Sequence, residues 1–278
     1  MKWNIIADSS CDLKSIAQVY DNIEFFTVPF TINIGDDSYI DDESLDTSIM
    51  VKAMENCAHA SQTTCPSPYS WYEQFKKAEQ CIAITISGQL SGSYNSANVA
   101  REMMLEKEPS KKITILDSYS AGSALVLIAE KLHELIENQF CFEDVISQIR
   151  DYITTMHTVF ALSSFDNLIK NGRMSKFAGF LAGKLGIWGI GVGSDEGKIQ
   201  IKTKVRGSNK MLSALIDDMV ERGFAGGAMA ISHCHNACLA EKLCEKVKAL
   251  WKTAEIKILP TRGLCSYYAE RGGLIVAF

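Results

Sequence analysis

The densest run of groups able to do chemistry is Ile86-Ser87-Gly88-Gln89-Leu90-Ser91-Gly92-Ser93-Tyr94-Asn95-Ser96-Ala97. Its hydroxyls donate and accept hydrogen bonds, and its glycines let a ligand approach the backbone. Before it lies Cys81–Ile86, a short isoleucine-rich run of the kind that forms a buried strand. After it, Tyr94–Glu108 carries Ala97, Ala100, Met103 and Met104 at helical spacing. The loop thus leaves the carboxyl end of a strand and enters a helix N-terminus, the place where open α/β sheets bind ligands. The first N–H groups of that helix lack internal partners and carry the positive end of its dipole. With Ser87, Ser91 and Ser93 added, the loop is suited to a carboxylate or a phosphate. The same residues equally make an ordinary Ser/Gly loop with an N-cap.

Other chemistry-bearing residues are scattered. Arg173 and Arg206 each stand beside a glycine, in Asn171-Gly172-Arg173 and Val205-Arg206-Gly207. Arginine in such turns makes surface ion pairs, and it is also the side chain best shaped to grip an oxyanion. His233-Cys234-His235, followed by Cys238, has the residue types of a metal site. A structural zinc needs four ligands converging on a tetrahedron, whereas adjacent residues at a strand end point apart. The reading preferred for it is a strand-to-helix turn. Gly88-Gln89-Leu90-Ser91-Gly92 is not the GxSxG elbow of serine hydrolases, and the chain has no P-loop and no GxGxxG after a strand.

The elements that must position these residues alternate. Trp3–Ala7 reads as a strand, and Asp8-Ser9-Ser10 as the cap of a helix running toward Tyr20. Residues 24–30 and 31–34 are β-rich, with a turn at Gly35-Asp36-Asp37. Helices are expected near 47–57, 68–78, 94–108, 121–137 and 142–155, and strands at 81–86 and 113–116. Residues 60–68 read as a hydroxyl-rich loop stiffened by Pro66 and Pro68. The second half is expected to hold strands at 159–162, 186–193, 198–204, 228–232, 255–259 and 274–278. Its helices are expected at 165–170, 177–185, 209–222 and 237–251, with a hairpin turn at Asp195-Glu196-Gly197. The pattern is that of an α/β protein with a largely parallel sheet in its first half. Two domains, 1–157 and 158–278, are expected, since the texture changes near residue 157.

The 278 residues, 47% hydrophobic and 22% charged with a net charge of -5, are those of a globular protein large enough for two cores. The acidic balance argues against a broad nucleic-acid surface. Nine scattered cysteines without a CxxC pair read as reduced thiols of a cytoplasmic protein, and Trp3–Asp8 follows the start without a signal-peptide pattern.

Taken in order, these segments resemble the DegV family, bacterial fatty-acid-binding proteins, over nearly the whole chain. Asp8-Ser9-Ser10-Cys11-Asp12-Leu13 matches the family's DS(T/S)xDL start, and Thr63-Thr64-Cys65-Pro66-Ser67-Pro68 stands where members have TSQPSP. Leu90–Ala97 matches LSGTYQSA, and Asp117-Ser118 matches a second DS at a strand end. Lys170–Ser175 corresponds to KGGRIS, and Lys204-Val205-Arg206 to a KVR after a hairpin. The resemblance implies two α/β domains of the DegV-like EDD fold, with one long-chain fatty acid at the domain interface. It implies no cofactor beyond that ligand, and a protein that presents the carboxylate to a separate fatty acid kinase for phospholipid synthesis. Transient contact with a membrane is compatible with such a role. By the resemblance, Thr63, Ser91 and the Gly92 backbone hold the carboxylate, with Thr64 and Ser93 beside them and Arg173 and Arg206 near the mouth. The chain departs from the family where members carry GxHxGPG, since Tyr268 stands where the histidine is expected. Trp188-Gly189 also replaces Lys-Pro, and no Gln follows Thr64. Two other functions fit the residues: an enzyme using the Ser91 loop as an anion site, and an interaction protein with a vestigial pocket.

Overall fold

A computed structural model describes residues 2–16, 22–57, 61–174 and 186–278. The first half runs β1 (Trp3–Asp8), β2 (Ile23–Val28), β3 (Thr31–Ile34), β4 (Asp37–Ile40), α1 (Thr47–Asn56), β5 (Ser61–Thr64) and α2 (Pro68–Phe75). It continues with β6 (Gln80–Thr85), α3 (Ser93–Lys107), β7 (Lys112–Asp117), α4 (Ser123–Glu137) and α5 (Phe142–Thr155). The second half runs β8 (Thr158–Leu162), α6 (Asp166–Lys170), β9 (Ile187–Gly193), β10 (Ile199–Arg206) and α7 (Ser208–Glu221). It closes with β11 (Gly227–His233), α8 (Ala237–Leu250), β12 (Ala254–Pro260), α9 (Gly263–Ala269) and β13 (Leu274–Ala277).

Strands β2-β1-β6-β7 form a parallel sheet in that order. Every residue of β1 and β6 is buried, as befits parallel strands covered on both faces. The two-residue alternation sends Ile5, Ala7, Ile82 and Ile84 toward α4 and α5. Ile6, Cys81 and Ala83 face the other way, onto Trp71, Phe75, Ala97 and Met104 of α2 and α3. The second large sheet has the order β10-β9-β8-β13-β11-β12 and is mixed, with only β11 and β12 parallel among its described pairs. A small antiparallel sheet, β4-β3-β5, completes the set.

α4 joins the two large sheets. Eleven of its residues are buried, and it packs on β1 and β6 and also on β11 and β13. Its first two turns are buried on all sides and so are apolar all round, which explains their Ala-Leu-Val-Leu-Ile-Ala run. The small sheet and α1 likewise cross from the first half: Ile32 and Ile34 of β3 and Met50 and Val51 of α1 share a cluster with Phe160, Leu162 and Phe165. The large sheets therefore divide in sequence at His157, while packing runs across that point.

Three expectations differ from the structure. No helix follows Asp8 within the described residues 9–16, and the rest of that helix lies outside the described residues. Part of the expected 60–68 loop is strand β5, because Ser61–Thr64 pair with β3, a partner far away in sequence; Ala60 lies outside the described residues. Helix α9 was not anticipated. The expected helix at 177–185 lies outside the described residues.

Candidate functional site

A cavity of about 860 Å³, its mouth included, lies between the carboxyl ends of the parallel strands and one face of the mixed sheet. Its walls are apolar: Phe30, Ile86, Leu90 and Ala121 come from the first half, and Phe160, Leu162, Leu168, Ile199, Leu264 and Ile275 from the second. Thr158, Phe160 and Leu162 reach it because alternate residues of β8 share a face. The charged residues of its lining are Arg173 and Lys198, both cationic.

Thr63, Ser91, Arg173 and Tyr268 line this cavity together. They arrive from β5, the loop before α3, the turn after α6 and α9, separated by up to 205 residues. The Thr63 Oγ1 and Tyr268 hydroxyls are hydrogen-bonded at 2.8 Å. Of their two protons one lies between them, so the other is free to donate to a ligand. Burial pushes the Tyr268 phenol above its usual range, which keeps it neutral and a donor. Ser91 Oγ accepts from the Ser93 N–H at 3.2 Å, a bond that leaves its own proton for a ligand. The Arg173 Nε donates to the Leu90 carbonyl at 3.1 Å and Nη1 to the Asn171 carbonyl at 2.5 Å. Asn171 in turn donates through Nδ2 to the Tyr267 hydroxyl at 3.0 Å, and that hydroxyl is hydrogen-bonded to Ser61 Oγ at 2.6 Å. One polar network therefore ties β5, α9 and the arginine turn around the cavity mouth.

A groove opens outside this end, lined by Gly88–Gly92, Tyr94, Asn95 and Asn171–Arg173. Gly92 borders that groove and not the cavity. Thr64, Ser93 and Arg206 are outside the cavity for three separate physical reasons. Thr64 is exposed, since the next residue of a strand points away from Thr63. Ser93 is fully buried and donates its hydroxyl to Asp8 Oδ2 at 2.7 Å. Arg206 is exposed at the far end of β10 from Ile199, seven residues or about 23 Å away along the strand.

Asp8, read in the sequence as part of a cap, instead fastens the loops below the site. Its Oδ1 accepts from Ser10 N at 3.2 Å and Ser10 Oγ at 2.5 Å, and its Oδ2 accepts from Ile86 N at 2.9 Å as well as from Ser93. Burial pushes this carboxyl up, and those four bonds pull the other way. Asp117 does a similar job, accepting from Gly88 N at 3.0 Å and Tyr119 N at 2.8 Å. Both aspartates stand at strand ends inside motifs visible in the sequence, and that position was the signal for a loop-fastening role.

Asp12 lies behind the cavity wall, accepting from the Arg262 N–H at 2.8 Å, with Ser232 and Cys265 beside its carboxyl. Burial pushes this carboxyl up to about 7, against about 3.9 in an unfolded chain. Between those values the folded protein holds a proton that the unfolded chain has released. The stability this gives is complete below about pH 4 and is lost as pH rises to about 7. Asp12→Asn is expected to reduce that slope, so urea midpoints at about pH 5 and about pH 8 should lie closer together in the variant than in wild type. A slope equal to wild type would remove Asp12 as its source.

The family model described as "Uncharacterised protein, DegV family" matches residues 2–278. The chain belongs to the DegV family. A DegV domain-containing protein of Streptococcus pneumoniae R6 is 41% identical over 278 residues, covering 100% of this chain and 99% of that one. The crystal structure of the Streptococcus pneumoniae fatty acid kinase B3 protein, loaded with linoleic acid, superposes with a TM-score of 0.97 at 41% identity, covering 100% of this chain and 99% of that one. A DegV family protein from Eubacterium eligens loaded with heptadecanoic acid gives a TM-score of 0.95 at 35% identity, over 99% and 98% of the two chains. The fold of this DegV protein is therefore that of liganded members, and its cavity lies at the switch from one sheet to the other. Among its described residues no group of three or more His, Cys, Asp or Glu could hold a metal ion, and His233 Nδ1 accepts from Asn236 N at 3.2 Å in a turn. No described helix is long and apolar enough to cross a membrane.

Proposed function

We propose that this DegV protein holds one long-chain fatty acid with its acyl chain in the apolar cavity and its carboxylate at Thr63, Ser91, Tyr268 and Arg173. The observation that carries the reading is one apolar cavity ending in hydroxyl donors and an arginine, in the fold of proteins solved with linoleic and heptadecanoic acid. Each buried methylene is worth ~0.8 kcal/mol, so about fourteen supply on the order of 11 kcal/mol before the costs of binding. Each hydrogen bond to the charged head adds about 1.5–3 kcal/mol and fixes its place. We read the halves 1–157 and 158–278 as the two domains between which the lipid sits.

Native mass spectrometry of the purified protein tests this directly. A mass increment of one long-chain fatty acid is the expected result, and an apo protein that refuses added oleate overturns it. Ser91→Ala is expected to weaken uptake by about 1–3 kcal/mol with an unchanged thermal midpoint, as one donor to a shielded carboxylate is lost. Unchanged affinity would remove Ser91 from the head-group site.

The finer reading is presentation of the carboxylate to a separate fatty acid kinase, a role supported by the fatty acid kinase B3 relative. Arg206, exposed and remote from the cavity, fits a docking contact better than a lipid contact. Arg206→Ala is expected to leave lipid content unchanged and to slow acyl-phosphate formation by a partner kinase, with a penalty that shrinks as salt screens the contact. An empty cavity in that variant would return Arg206 to the lipid site.

A further inference from the structure

Two hydroxyls stand at the end of the cavity away from the head group. β8 runs along the cavity floor, and Leu162 lies beside Ala269, next to Tyr268, at the head-group end. Thr158 stands four residues back, about 13 Å away along the strand. There its Oγ1 meets Ser120 Oγ at 2.6 Å, and both residues are buried at 8% exposure. Ser120 comes from the loop after β7 and Thr158 from the first residue of β8, so the bond spans the two sheets.

On the other side of this pair lies a second, wetter cleft, lined by Met156, His157, Ser194, Asp195 and Glu196. Tyr119, Ser120, Thr158 and Gly193 line both the apolar cavity and that cleft. The wall between them is thus one side chain thick. The bond between its two hydroxyls gives each oxygen a partner, which lowers the cost of standing polar groups at the end of an apolar channel.

We infer that the Ser120–Thr158 pair is the tail stop of the acyl site, setting the longest chain that fits by separating the cavity from the adjoining cleft. The inference rests on the fatty-acid reading above. Removing both hydroxyls joins the two spaces, so further methylenes of a longer chain find room. Gly193 offers the opposite change: a methyl there would stand 3.7 Å from Thr158 Cβ, an ordinary contact at a backbone angle any residue adopts, and would thicken the wall.

The test is a series of straight-chain saturated acids, from myristate to lignocerate, bound to the full chain and read by displacement of a fluorescent fatty acid. In Ser120→Ala/Thr158→Ala the affinity for behenate relative to palmitate is expected to rise by about tenfold or more, the gain when two further methylenes leave water. In Gly193→Ala the longest acid accepted is expected to shorten. A folded double variant that binds palmitate with the wild-type length profile overturns the inference. If the double variant does not fold, Gly193→Ala decides alone: a shortened profile supports the stop and an unchanged one overturns it. Wild-type protein that takes up none of these acids overturns the fatty-acid reading itself, a result distinct from an unchanged profile.

Discussion

Asp41→Ala is expected to lower the unfolding free energy by about 3–5 kcal/mol, the range for breaking a buried charge pair by removing one partner. Asp41 is 1% exposed and caps α9 from the other end of the chain, accepting from Gly263 N at 2.7 Å and Leu264 N at 2.8 Å. Beside it Arg262, 3% exposed, donates through Nη2 to the Asp41 carbonyl at 2.8 Å, with its Nε 3.8 Å from the Asp41 carboxylate. Burial pushes the Asp41 carboxyl up, and the guanidinium opposes that shift. Removing the carboxylate leaves two helix N–H groups unpaired and the guanidinium without that counter-charge, inside the protein. α9 has seven residues and is held by this cap, so its loss frees Tyr268 from Thr63 as well. Urea unfolding and fatty-acid uptake should fall together. A loss under about 1 kcal/mol would show that α9 is held by its apolar contacts instead.

Gly197→Ala is the second large effect. Gly197 has φ +80°, in the hairpin between β9 and β10, and its carbonyl accepts from Ser87 Oγ at 2.8 Å. A Cβ there would overlap Ser87 Oγ and come within 3.0 Å of the Tyr119 Cα and 3.1 Å of Ser87 Cβ. Tyr119 is itself held at φ 51° by its bond to Asp117, so that backbone has little room to retreat. Overpacking costs about 1–3 kcal/mol and left-handed backbone about 1–2 kcal/mol for a residue with a Cβ, together about 2–5 kcal/mol. Because this contact closes the second half over the Ser91 loop, the variant should also lose fatty acid on dilution faster than wild type. Thermal melts with and without oleate measure both. A variant as stable as wild type and as slow to release would place the closing contact elsewhere.

The legible part of this molecule was local. β1 and β6 are unbroken apolar runs, and their burial on both faces of a parallel sheet follows from that composition. The amphipathic pattern of α5 and the strand–loop–helix unit around Ser91 were readable for the same reason, since periodicity is set by neighbours in sequence. Ser91, Thr63 and Arg173 were marked by residue type and by order along the chain. What the tertiary structure alone decided is which side of its element each faces. Thr63 and Thr64 are chemically alike, yet strand pairing with β3 sends one inward and the other to solvent. Ser91 and Ser93 are both loop hydroxyls, but a carboxylate 85 residues away claims the second. α9 was invisible because its cap, Asp41, lies 222 residues distant, beyond any local signal. The tail stop is the same case: Ser120 and Thr158 become a wall only when two sheets bring their hydroxyls within 2.6 Å. Local pattern settles what an element is, and long-range packing settles what its side chains meet.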